Sequence, residues 1–162
     1  MKDERGWSDW WRRFIGFAPE GRQRTLDILT RRYIEESQHV ARFTEHAERM
    51  QYVQFRQRLL AIAAEESEHV RLIGEKIKQL GGRLPEVPPI FAGIKNSWQY
   101  LLEDLTEQQR CAEELFEQAL ALRDEFPGVT ELLERIYRDG KRHRDAIRDM
   151  LIKSDPQSLW PA

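Results

Sequence analysis

Four stretches of this chain repeat their apolar residues every three or four positions, and a proline-rich segment separates the second from the third. That combination restricts the fold more than any single motif does. The first stretch runs from about Arg22 to Met50 through Leu26, Leu29, Tyr33, Val40, Phe43 and Ala47, the spacing of one helix face. The second runs from about Tyr52 to Leu80 through Leu59, Ile62, Ala63, Val70, Ile73 and Ile77, and "QLGG" supplies the glycine that favours a helix end. A third opens at "NSWQ", where Asn96 can cap and Gln99 can reach back, and continues to about Arg123. "EFPG" breaks it, and Val129, Leu133, Ile136, Ile147 and Leu151 carry the fourth to about Lys153.

The connections decide which all-α bundle this is. Short turns join helices one and two, and helices three and four, so each pair forms an antiparallel hairpin. The extended segment "RLPEVPPIFAGIK" is about thirteen residues long and reaches roughly 43 Å. A helix of about 28 residues is roughly 42 Å long. The segment can therefore run the length of the bundle, which makes helices two and three parallel and gives a long crossover between them.

Composition sets further bounds. A length of 162 residues and a formal charge of -2 describe one domain with no basic surface for nucleic acid. Acidic and basic residues are interleaved, and Cys111 is the single cysteine, so no intrachain disulfide exists and a reducing cytoplasm is the expected location. No stretch approaches the length of a transmembrane span.

Polar residues fall on the apolar faces. On helix two, Glu66 lies among Leu59, Ala63, Val70 and Ile73, with His69 one turn further at the edge. Helix four puts His143 at the matching edge beside Gly140, helix one encloses Glu36, and helix three encloses Gln108. The two hairpins read as a diverged repeat. His39 falls at the edge of helix one's face, as a surface residue or a support for a ligand, and Arg32 lies at an edge from which it could neutralise a carboxylate. His46 points outward, as do Cys111 and Glu107 on helix three.

"EESQHVARF" followed by "AAEESEHVRLIGEKIKQLGG" closely resembles the first half of rubrerythrins and the wider ferritin-like superfamily, over roughly residues 20 to 153. That resemblance implies a ferritin-like four-helix bundle in which carboxylates and imidazoles hold a pair of iron or manganese ions. It makes Glu36 a single-carboxylate ligand, Glu66 a bridging ligand and His69 an imidazole ligand. His143 is retained, but Gly140 and Gln108 stand where the family has its other two carboxylates. The metal set is then Glu36, Glu66, His69 and His143, enough for one iron, manganese or zinc ion. Two alternatives stand beside it: a dinuclear site completed by Glu107, Asp139 or water, and a metal-free helical scaffold. The resemblance carries an oxygen- or peroxide-linked redox role, though the chain lacks the Cys-x-x-Cys pairs from which rubrerythrins build their electron donor.

Residues 19 to 155 form the bundle in this reading, between an N-terminal segment, 1 to 18, and a tail, 156 to 162. Trp7, Trp10, Trp11 and Phe14 follow helical spacing, which predicts a short amphipathic helix. It and Trp160 have three uses: docking on the bundle's outer grooves, forming a homodimer interface, or touching a membrane surface.

Overall fold

The computed structural model describes residues 19–91 and 93–154. The aromatic segment with Trp7, Trp10, Trp11 and Phe14, and Trp160, lie outside them. Four helices are present: α1 (Pro19–Arg49), α2 (Val53–Gln79), α3 (Ser97–Leu122) and α4 (Pro127–Lys153). None is long and apolar enough to cross a membrane.

α1 pairs with α2 and α3 with α4, while α1 also touches α3 and α2 touches α4. α2 and α3 are therefore diagonal, and each helix packs between two antiparallel neighbours. Leu29, Ile73, Leu115 and Leu133 share one apolar cluster, and Phe43, Leu59, Leu101 and Ile147 share the other. α1 and α4 thus run from the first cluster to the second and α2 and α3 run back, as the crossover requires.

The seam that each helix buries has a period of seven. On α1, Thr25, Leu29, Arg32, Glu36, His39 and Phe43 are all buried, at alternating steps of four and three. On α3 the same rhythm gives Leu101, Asp104, Gln108, Cys111 and Leu115. This is the left-handed supercoil repeat, and it corrects three expectations. His46 is fully buried and Cys111 is 3% exposed, so neither points outward, and His39, placed at the edge by the sequence, is 3% exposed and not a surface residue. Arg32 is also fully buried, but its guanidinium pairs with Glu35 (2.6 Å) and Glu114 (2.9 Å), not with an inner carboxylate.

Local chemistry fixes the crossover at both ends. α2 ends in a Schellman turn: Gly82 N–H donates to Ile77 and Gly81 N–H to Lys78, with Gly81 at φ 75°, where a Cβ is disfavoured. α3 begins with a reciprocal cap, since Gln99 N–H donates to Asn96 Oδ1 (2.8 Å) and Asn96 N–H to Gln99 Oε1 (2.9 Å). Asn96→Ala is expected to destabilise the fold by about 1 kcal/mol, read as a lower urea midpoint at unchanged slope.

Candidate metal centre

Each helix places two residues, three apart, in the layer between the apolar clusters: Glu36 and His39 on α1, Glu66 and His69 on α2, Gln108 and Cys111 on α3, Gly140 and His143 on α4. All eight are buried. Glu36, Glu66, His69 and His143 all lie in this layer, and the inner donor atoms that fall within 4.8 Å of one another as a group are those of Glu36, His39 and Glu66. Glu66 is the hub. Its Oε2 accepts from His69 Nδ1 (2.9 Å), and its Oε1 accepts from Gln108 Nε2 (2.8 Å) and lies 3.2 Å from His143 Nδ1. Glu36 Oε2 lies 3.4 Å from His69 Nδ1 and has no hydrogen-bond partner although buried.

The outer nitrogens of both imidazoles are held by carboxylates. Asp139 sits 3.0 Å from His69 Nε2, and Glu65 sits 3.0 Å from His143 Nε2. Both Nδ1 atoms are thereby directed inward, the arrangement that orients histidine toward a cation. Neither Glu65 nor the outer use of Asp139 was expected: the sequence reading held Asp139 in reserve as a ligand, and the structure puts it behind one. Glu107 likewise stays away from the carboxylate pair, beside His39 and Cys111. Asp139 and Glu65 each fall four or one positions from an inner residue, a spacing too common on charged helices to have singled them out.

The charges are strongly interdependent. Burial, the adjacent Glu66 carboxylate and a hydrogen bond with it push the Glu36 carboxyl up to about 7. Burial acts on Glu66 in the same direction, but hydrogen bonds with Glu36, His143 and His69 outweigh it and hold Glu66 well below the ordinary range. Burial lowers the His69 imidazole, but Glu36 and Glu66 overcome it and lift it to about 10. Without a cation, protons therefore sit where positive charge is needed.

The space available is small. A cavity of about 10 Å³ lies between Glu36, His39, Glu66, Gln108, Cys111 and Gly140, room for one ion or one water. No organic substrate fits there.

A family model described as a ferritin-like domain matches residues 44–154. The chain belongs to the ferritin-like domain family. The bundle is similar to that of a dodecameric thioferritin, a bacterioferritin-related protein from Bacteroides fragilis, with 16% identity, TM-score 0.75, and 82% of this chain and 86% of that chain covered. It is also similar to the Desulfovibrio desulfuricans bacterioferritin, described with a diiron site, with 17% identity, TM-score 0.73, and 81% and 80% covered. These likenesses establish the fold. No curated protein matches the sequence. The ferritin-like match begins within α1 after Glu36 and His39 and does not cover those two residues.

Two carboxylates, one with an unpartnered buried oxygen, and two inward imidazole nitrogens can neutralise and ligate a dication. The position for a second has no acid: a Cβ on Gly140 would lie 3.4 Å from both Arg144 Nη1 and Gln108 Oε1. A guanidinium and an amide fill the place of a carboxylate there, and the guanidinium repels a second cation.

Proposed function

We propose that this ferritin-like protein binds a single divalent cation, iron foremost with manganese or zinc as alternatives, through Glu36, Glu66, His69 and His143. The observation that carries the reading is the buried Glu36–Glu66 pair, with Glu36 Oε2 unpartnered. Two carboxylates in a protein interior require compensating charge. Arg32 is engaged by Glu35 and Glu114 and does not supply it, so without a cation the protonated His69 imidazole does, the charge that a metal would replace.

A bound iron or manganese ion would contribute Lewis acidity and one-electron redox chemistry. The chain's own residues do the rest. Asp139 and Glu65 fix the two imidazoles, Gln108 holds Glu66 Oε1 in place, and the apolar clusters on either side keep bulk water out. The small volume of the cavity, about 10 Å³, limits redox chemistry to molecules of about the size of water, in keeping with an oxygen- or peroxide-linked role.

Self-association belongs to the same reading. The Bacteroides fragilis relative is dodecameric, and Phe116 and Leu120 of α3 stand 59% and 57% exposed on this chain, an apolar patch of the kind that marks association surfaces.

Elemental analysis of protein purified without chelators or nickel columns tests the metal claim. Wild-type protein is expected to carry one more iron, manganese or zinc ion per chain than Glu66→Ala, which should remain helical. Wild-type protein with no metal, unchanged in melting temperature by added Fe(II), Mn(II) or Zn(II), would leave the polar layer as the internal network of a scaffold.

A further inference from the structure

The central layer has a second face. On three helices the outer member of the paired positions is histidine: His39, His69 and His143. On α3 it is Cys111. A thiol therefore occupies the position that carries an imidazole everywhere else in the layer, and it faces His39 across the α1–α3 contact. Glu107, one turn before Cys111, comes in from the surface beside them.

We propose that His39, Cys111 and Glu107 form a separate site for a borderline-soft divalent cation of the zinc class, next to the inner carboxylate pair but independent of it. The three donor atoms form a near-equilateral triangle. His39 Nε2 lies 3.7 Å from Cys111 Sγ and 3.9 Å from Glu107 Oε1, and Cys111 Sγ lies 3.8 Å from Glu107 Oε1. Ligand bonds of about 2.0 to 2.3 Å in a tetrahedron give edges of about 3.3 to 3.6 Å. A contraction of a few tenths of an ångström closes the triangle on an ion.

The mixed donor set selects the metal class. Thiolate with imidazole favours zinc over magnesium or calcium, and three protein ligands leave the fourth position to water. The other ring nitrogen of His39 lies 4.0 Å from Glu66 Oε1 and 3.5 Å from Gln108 Nε2, polar groups that can orient the ring. Binding releases the thiol proton to solvent.

An approach from outside exists. An open groove lined by Arg42, Glu103, Thr106 and Glu107 runs along α1 and α3. Glu107 is at once part of that groove and one corner of the triangle, with 25% of its side chain exposed.

Arg110 competes for the same atoms. Its Nη2 lies 3.2 Å from Cys111 Sγ and 2.7 Å from Glu107 Oε1. It is 45% exposed, and it also holds Glu114 (2.6 Å) and Glu35 (3.4 Å). An incoming cation can displace it outward without leaving it unpaired. Removing this guanidinium should therefore strengthen cation binding, whereas a merely structural charge cluster would gain nothing.

Cobalt(II) titration of the reduced full-length protein tests the assignment, because a thiolate ligand adds a near-ultraviolet charge-transfer band that carboxylates and imidazoles lack. The band should saturate at one cobalt per chain in Glu66→Ala, reach the same final intensity in wild type at no more than two cobalt per chain because the inner centre also takes the ion, and be erased by zinc. Cys111→Ser should lack the band while retaining wild-type helicity by circular dichroism. Glu107→Gln should bind at least about tenfold more weakly, and Arg110→Ala about fivefold more tightly. No band in wild type, or a band indifferent to both Glu107→Gln and Arg110→Ala, would overturn the site. Because Glu66→Ala disables only the inner centre, failure there and failure here are separable.

Discussion

Gln108→Glu combined with Gly140→Glu is expected to raise the metal bound at the inner centre from one ion to two, one more per chain than in wild type. The family bundle holds two ions with four carboxylates and two histidines, and this chain lacks two of those carboxylates, at 108 and 140. The backbone at Gly140 accepts a side chain: an added Cβ meets its nearest neighbours at 3.4 Å, an ordinary contact, and glutamate favours a helix over glycine by about 0.5–1 kcal/mol. Neither single variant should suffice. Gly140→Glu alone has Arg144 one turn away as an ion-pair partner, and Gln108→Glu alone sets a third acid against Glu66 with no second ion to justify it. Metal-free, the double variant should melt several degrees below wild type, because it buries two further carboxylates. Saturating Mn(II) at about a hundred times Kd should return about 2.7 kcal/mol for each ion bound. Elemental analysis and melting curves check both parts. If the double variant binds no more metal than wild type, adding Arg144→Ala distinguishes repulsion by that guanidinium from an error in the proposed ligand set.

The overall architecture was legible because its determinants are local. The Asn96–Gln99 cap and the glycine end at Gly81 appear where the sequence places them, and the crossover follows from comparing a linker length with a helix length. α2 was also readable in detail, since Leu59, Ile62, Ile73 and Ile77 mark its seam and Glu66 interrupts it once. α1 and α3 were not. Their seams carry Arg32, His39, His46, Asp104, Gln108 and Cys111, so a face located by its apolar residues is drawn toward Tyr33 and Val40 on one helix and toward Leu105 and Ala112 on the other. All four are only partly buried. A period of 3.6 counted on apolar residues misplaces a seam of period 3.5 that is half polar. Glu36, Glu66, His69 and His143 are buried despite this error, because Glu36 lies near the centre of either face and the other three belong to α2 and α4.

His46→Leu is expected to cost about 3–5 kcal/mol, the range for stripping one member from a buried ion pair. His46 Nδ1 and Asp104 Oδ1 approach to 2.9 Å with both side chains fully buried. The two atoms touch without a hydrogen bond between them. The His46 ring packs against Tyr100 at 4.5 Å, within the apolar half of the core. Burial raises the Asp104 carboxyl, and His46 partly offsets that effect. Asp104→Leu should therefore be as costly as His46→Leu, each lowering the melting temperature by roughly 10 °C at about 2–4 °C per kcal/mol. The double variant should lie within about 1 kcal/mol of wild type or above it, because two leucines pack where two charges were desolvated. A coupling energy near zero in the double-mutant cycle would mean that the pair carries no charge. Position adds a consequence. His46 lies one heptad beyond His39 on α1, and Asp104 one heptad before Cys111 on α3, so the ion pair repeats the His39–Cys111 facing one layer along. It holds α1 against α3 in the register that sets that separation. The double variant, although stable, should therefore loosen cobalt binding at Cys111 while leaving the ion held by Glu36, Glu66, His69 and His143 in place.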